Sequence, residues 1–109
     1  MRAIVVGGGI GGLTAALALH RMGIKVAVLE QADDVTEVGA GIQLGGNGTV
    51  VLQKLGLGSA LAATAIAPAS YDYRELETGN MLVSWPLGAD ATRRYGAPLY
   101  NIHRADLID

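Results

Sequence analysis

The strongest constraint on the fold lies in residues 3–13. An uninterrupted apolar run (Ala3, Ile4, Val5, Val6) passes straight into Gly7-Gly8-Gly9-Ile10-Gly11-Gly12, and Leu13 then opens a run of helix formers. A short continuous apolar run predicts a parallel strand covered on both faces. Gly7, Gly9 and Gly12 occupy the three positions of G-x-G-x-x-G. The first permits the tight turn, the second lets a pyrophosphate approach the backbone, and the third lets helix and strand pack closely. A phosphate placed there meets the free N–H groups at the helix N-terminus. The extra glycines at 8 and 11 leave little side-chain bulk over it.

Residues 24–30 read as a second strand, with β-branched Val26 and Val28 and with Glu30 at its end, eighteen residues after Gly12. Strand, glycine turn, helix and strand make a right-handed βαβ unit. Glu30 is placed to accept hydrogen bonds from both hydroxyls of an adenosine ribose, and its charge disfavours a 2′-phosphate. Gln31 follows it. The pattern predicts a site for the adenosine diphosphate half of a dinucleotide. NAD and FAD are not separated by it. The competing reading is a glycine turn that serves only helix packing.

The remaining bulk properties narrow the field. Half of the 109 residues are apolar and only 17% are charged, which excludes a disordered segment. The net charge of −2, with scattered basic residues, leaves no nucleic-acid footprint. The absence of cysteine excludes disulfides and thiol nucleophiles. No apolar run has the length of a membrane span, and the strand-like run from residue 3 argues against a leader peptide. The expectation is a cytoplasmic protein.

Beyond Glu30 the expected order is a polar, turn-like segment over residues 31–38 and a short edge strand around Ile42 and Leu44. A helix capped by Asn47 follows through Leu55, with Val51, Leu52 and Leu55 facing inward. Gly56 stops it, and a second short helix covers residues 57–65. From Tyr71 the pattern changes to a hairpin turning at Thr78-Gly79-Asn80. Residues 86–95 read as a loop, residues 98–102 as another extended piece, and His103 begins a further helix. His20 reads as a helix-surface residue and His103 as a cap. No metal-ligand spacing and no serine nucleophile elbow is present. Tyr71, Tyr73, Trp85, Tyr95 and Tyr100 are assigned to packing.

Four ordered segments carry a family resemblance. They are residues 5–13, residues 28–32, residues 37–45 with Asn47, and residues 95–107, which contain His103-Arg104-Ala105-Asp106-Leu107. Together they resemble the N-terminal part of class A FAD-dependent aromatic hydroxylases, the salicylate hydroxylase and 3-hydroxybenzoate or 6-hydroxynicotinate monooxygenase group. The resemblance implies an α/β fold: a Rossmann-like βαβ portion with a mostly parallel sheet, incomplete by itself, and a hairpin excursion over about residues 71–102 toward a substrate domain. It implies bound FAD, NAD(P)H as transient reductant, O2, and a small aromatic acid or phenol as substrate. Gly41 and Gln43 would then run beside the flavin, and Arg104 would reach the cofactor, its guanidinium suited to grip two phosphate oxygens. With Gly7, Gly9, Ile10, Gly11, Gly12, Glu30 and Gln31 they complete the expected cofactor site. The family's later Asp-Gly and Gly-Asp segments do not occur in these residues, no catalytic residue is assigned, and a missing C-terminal portion or self-association is expected. Another FAD- or NAD-dependent oxidoreductase, or a noncatalytic nucleotide-binding piece, remains open on the sequence.

Overall fold

A computed structural model describes residues 1–33 and 40–109. The expected polar segment therefore lies largely outside the described residues, as does Gly39. The order of elements is β1 (Arg2–Val6), α1 (Ile10–Arg21), β2 (Lys25–Leu29), β3 (Gly41–Leu44), α2 (Gly46–Lys54), α3 (Gly58–Thr64), β4 (Ser70–Arg74), β5 (Met81–Pro86), α4 (Gly88–Tyr95), β6 (Tyr100–His103) and α5 (Arg104–Ile108).

β1 and β2 pair in parallel, Ala3 beside Val26 and Val5 beside Val28, as the βαβ reading requires. Two further ladders are antiparallel: β3 with β6, and β4 with β5. The fold is thus α/β, with its parallel part in β1–β2. α1 begins at Ile10, three residues before the expected start, so Gly11 and Gly12 belong to the helix itself. Gly23, at φ +80°, ends it in the left-handed conformation that a side chain disfavours.

The buried cluster sits elsewhere. Leu52 of α2, Leu61 of α3 and Ile102 of β6 form it, with Ile42, Leu44 and Tyr100 packed around them. The alternation of β3 and β6 explains this: Ile42 lies opposite Ile102 and Leu44 opposite Tyr100 on one face, while Gln43 lies opposite Asn101 on the other. Ile66 adds a bridge to the outer edge of β6 through paired backbone bonds with Asn101.

Four expectations are corrected. Gly45, not Asn47, is the N-cap of α2, and Asn47 lies in its first turn. Val51 is 47% exposed rather than inward, because the helix turns its Thr49 and Leu52 side toward the core. Residues 88–95 are a helix, not a loop. Its ends obey helix electrostatics, with Asp90 in the first turn, Arg93 and Arg94 in the last, and Gly96 at φ +77° as stop. Finally, β1 is not covered on both faces: Ala3 and Val5 lie on the α1 side, whereas Ile4 and Val6 on the other face are 69% and 83% exposed.

The β4–β5 hairpin is bound internally by polar side chains. Asp72 accepts hydrogen bonds from Ser84 at 2.6 Å and Ser70 at 2.9 Å. These hydroxyls, Ser84 first, hold the Asp72 carboxyl below its ordinary range. On its other face Tyr73 and Trp85 meet edge to face, 5.5 Å between ring centres.

Candidate functional site: a glycine turn faced by a carboxylate

Gly7 sits at φ +103°, a conformation suited to glycine, and its N–H donates to the Leu29 carbonyl at 2.7 Å. The chain then enters α1 with Gly9 as N-cap, and no side chain caps the free N–H groups there. No acidic residue occupies the first turn. Side chains placed on Gly9 or Gly11 would meet nothing within 4 Å. The start of α1 is therefore a ring of unused donors with open space before it, which suits an anion. Gly12 is different. A Cβ there would run into the Gly7 carbonyl oxygen and come within 3.4 Å of Val5 Cγ1. Gly7 thus makes the turn, Gly9 faces open space and Gly12 packs the helix against β1.

Glu30 stands one residue past β2, and its carboxylate is already anchored. Oε2 accepts from the Gly8 N–H at 2.5 Å and Oε1 from the Ala32 N–H at 3.0 Å. The Ala32 and Gly8 amides, in that order, hold the carboxyl below its usual range, with the Gln31 amide adding a smaller effect. Each oxygen retains a second lone pair, so the carboxylate can still accept from a pair of ribose hydroxyls. Gly8 was not singled out as a site residue, yet it is buried and a Cβ there would press on Glu30 at 3.1 Å. The unbroken run Gly7-Gly8-Gly9 was the available signal.

The second group of expected residues gathers on the β3–β6 ladder. Gly41 pairs with His103, and Gln43 with Asn101, on the face turned from the core. Tyr71 of the hairpin donates its hydroxyl to Gln43 Oε1, a link that sequence reasoning did not foresee because the partners lie 28 residues apart. Arg104 is the first residue of α5, and its N–H donates to the Ala40 carbonyl at 3.3 Å. His103 caps that helix as expected, its Nδ1 accepting from the Ala105 N–H at 3.3 Å. The two groups adjoin. Ile10, Leu13 and Leu17 of α1 share an apolar cleft of about 250 Å³ with Leu107 and Ile108 of α5. An uncapped helix start at α1, an anchored carboxylate at Glu30 and Arg104 on a neighbouring helix form a donor and charge set that fits a dinucleotide.

Residues 5–53 match the model of an NAD(P)-binding Rossmann-like domain. A 3-amino-4-hydroxybenzoate 2-monooxygenase of Streptomyces platensis is 46% identical over 106 residues, which are 97% of this chain and 27% of that protein. A 3-hydroxybenzoate 6-hydroxylase of Klebsiella oxytoca is 42% identical over 98% of the chain, again 27% of the relative. Among solved structures, Klebsiella pneumoniae HpxO complexed with FAD and uric acid superposes with a TM-score of 0.86 and 34% identity, over 99% of this chain and 27% of that one.

The chain is similar in sequence to these curated monooxygenases and in fold to the FAD complex, over nearly its whole length. It spans about a quarter of the length of these proteins. The resemblance inferred from the four sequence segments therefore extends over nearly all of this chain. Among the described residues no helix is long and apolar enough to cross a membrane, and no cluster of three metal-ligating side chains occurs.

Proposed function

We propose that this chain forms the adenosine-facing part of the FAD site of an aromatic monooxygenase, one that hydroxylates a small aromatic acid or phenol with NAD(P)H and O2. The observation that carries the reading is the uncapped start of α1 beside an anchored Glu30. When bound, FAD supplies the redox chemistry that takes electrons from the nicotinamide and activates oxygen. The residues of this chain hold and orient it. Gly7 makes the turn, Gly9, Ile10, Gly11 and Gly12 offer the amide donors and the open approach to the pyrophosphate, and Glu30, with Gln31 behind it, takes the ribose hydroxyls. Gly41 leaves room for close approach, Gln43 presents an amide held by Tyr71, and Arg104 adds a cation toward the pyrophosphate. The hairpin within about residues 71–102 extends toward the substrate domain in this scheme.

A second reading has one observation in its favour. The domain model that matches residues 5–53 is described as NAD(P)-binding, so an oxidoreductase using nicotinamide as its resident cofactor fits the same turn. Titration of the protein with FAD and with NAD separates the two. The proposed site binds FAD more tightly than NAD, and Glu30→Ala weakens FAD by about tenfold, the scale of one lost charge-assisted contact. Tighter binding of NAD, or FAD affinity unchanged in Glu30→Ala, contradicts the proposal.

A further inference from the structure

The β4–β5 hairpin turns most of its polar side chains on itself. Asp72 accepts from Ser70 and Ser84, Arg74 donates to the Gly79 carbonyl at 3.1 Å, and Thr78 donates to Glu75. Tyr71 is different. It is half-buried at the open end of the hairpin, opposite Trp85, and its hydroxyl leaves the hairpin to donate to Gln43 Oε1 on β3.

A second attachment lies beside the first. The Ile66 N–H donates to the Asn101 carbonyl and the Asn101 N–H to the Ile66 carbonyl, both at 2.8 Å, just before the chain enters β4. Asn101 is the cross-strand partner of Gln43. The hairpin is thus pinned to two opposed positions of one ladder, through backbone at Asn101 and through a side chain at Gln43.

The side chain of Asn101 shows why the Tyr71 hydroxyl matters. Its Oδ1 is buried and has no hydrogen-bond partner among the described residues. An unmatched buried acceptor is costly, and native structures hold few of them. Opposed residues of an antiparallel pair have Cβ atoms about 4.5–5.5 Å apart, so the donor that the register sets beside Asn101 is the Gln43 amide. A glutamine amide offers one carbonyl and one NH2 group. With Oε1 engaged by Tyr71, Gln43 stays exposed on the outer face and leaves Asn101 unmatched. Released from Tyr71, the amide gains a hydrogen bond by turning to Asn101.

We infer that Tyr71 is a positioning residue of the cofactor site: its hydroxyl keeps the Gln43 amide off Asn101 and turned outward, so that the seating of the β4–β5 hairpin decides whether Gln43 is available to the cofactor. The inference rests on the proposal that Gln43 lies beside bound FAD. An amide held by its carbonyl presents its NH2, a donor suited to an oxygen acceptor of that cofactor. The hydroxyl preorients this donor, which lowers the ordering cost of binding. It also couples the hairpin to the cofactor-facing strand through one side-chain contact.

Tyr71→Phe removes the hydroxyl and keeps the ring. In the chain without cofactor, the side-chain amide signals of Gln43 and Asn101 in proton–nitrogen correlation spectra are expected to shift together, those of Gln43 being identified by their loss in Gln43→Leu. FAD affinity is expected to fall about fivefold in Tyr71→Phe, the scale of one neutral hydrogen bond. In a Gln43→Leu background the same substitution is expected to cost nothing further, the signature of a residue that acts through its partner. ADP, which reaches only the adenosine-facing half, is bound equally by each of these chains. Unmoved amide signals, undiminished FAD affinity in Tyr71→Phe, or a loss that persists in Gln43→Leu overturns the positioning role. An equal fall in ADP affinity does so too, because it marks a general loss of structure. Failure of the parent chain to bind FAD overturns the cofactor reading and this role with it, whereas a parent that binds FAD beside an unaffected Tyr71→Phe overturns the role of Tyr71 alone.

Discussion

Gly9 and Gly12 stand three residues apart in one turn and do different work. A methyl group on Gly12 meets the Gly7 carbonyl and the side chain of Val5, whereas one on Gly9 meets nothing. Gly12→Ala should therefore cost about 1–3 kcal/mol of stability, the usual cost of overpacking. Gly9→Ala should cost less than about 1 kcal/mol, the scale of an altered N-cap, while weakening FAD because the added methyl group occupies the pyrophosphate approach. Urea denaturation together with FAD titration of both variants checks the division. Equal stability losses would show that the two glycines share one structural role. The fingerprint made both positions legible in the sequence, since each role follows from the spacing. Gly8 was less legible, because its duty depends on where Glu30 returns in space.

Glu30 gives the residue scale a pH signature. Its folded carboxyl is held below its ordinary value near 4.5 by the Ala32 and Gly8 amides. A depressed folded value means that the stabilisation is fully present above the unfolded value and is lost as pH falls through the folded one. The chain should lose stability as the pH drops below about 4.5, and Glu30→Gln should flatten that part of the profile. An identical acid profile in the variant would show that the amide contacts contribute nothing.

At the scale of elements, sequence pattern succeeded where a local rule decides the structure. β1, α1 and β2 follow from apolar runs separated by glycines, and the β4–β5 hairpin turns at Gly79, whose φ is +73°. The strand around Ile42 and Leu44 follows from alternation, although its partner β6 lies some sixty residues away and no local signal names it. α4 was missed because Pro86 and Leu87 precede it and its eight residues carry few apolar positions. Its end signals were present in Asp90, Arg93, Arg94 and Gly96. If Gly96 is the stop that the structure shows, Gly96→Ala should destabilise the chain by about 1–2 kcal/mol, the cost of a left-handed side-chain residue. A urea midpoint equal to that of the parent chain would remove Gly96 from that role.

The whole molecule shows why both faces of β1 did not become buried. Three separate two-stranded ladders extend over 58 × 31 × 20 Å, with a radius of gyration of 17.1 Å. A compact chain of this length has about 13 Å. Among the described residues the buried cluster under β3 and β6 contains Leu52, Leu61 and Ile102, and Ile4, Val6 and Leu29 remain open on the far side of β1–β2. An apolar strand states that it wants cover on both sides; these residues supply α1 on one. The proposed site inherits the same division. Its adenosine-facing half is built from β1, α1 and Glu30, and the groups proposed to continue the site toward the flavin stand on β3 and α5.

That division makes the adenosine-facing half of the proposed site measurable by itself. Equilibrium titration of the chain with FAD, ADP and FMN distinguishes which half of the dinucleotide it holds. FAD is expected to bind, ADP to compete with it, and FMN, which lacks the adenosine half, not to compete. FMN competing as well as ADP, or FAD retained undiminished in excess ADP, would contradict the proposed site.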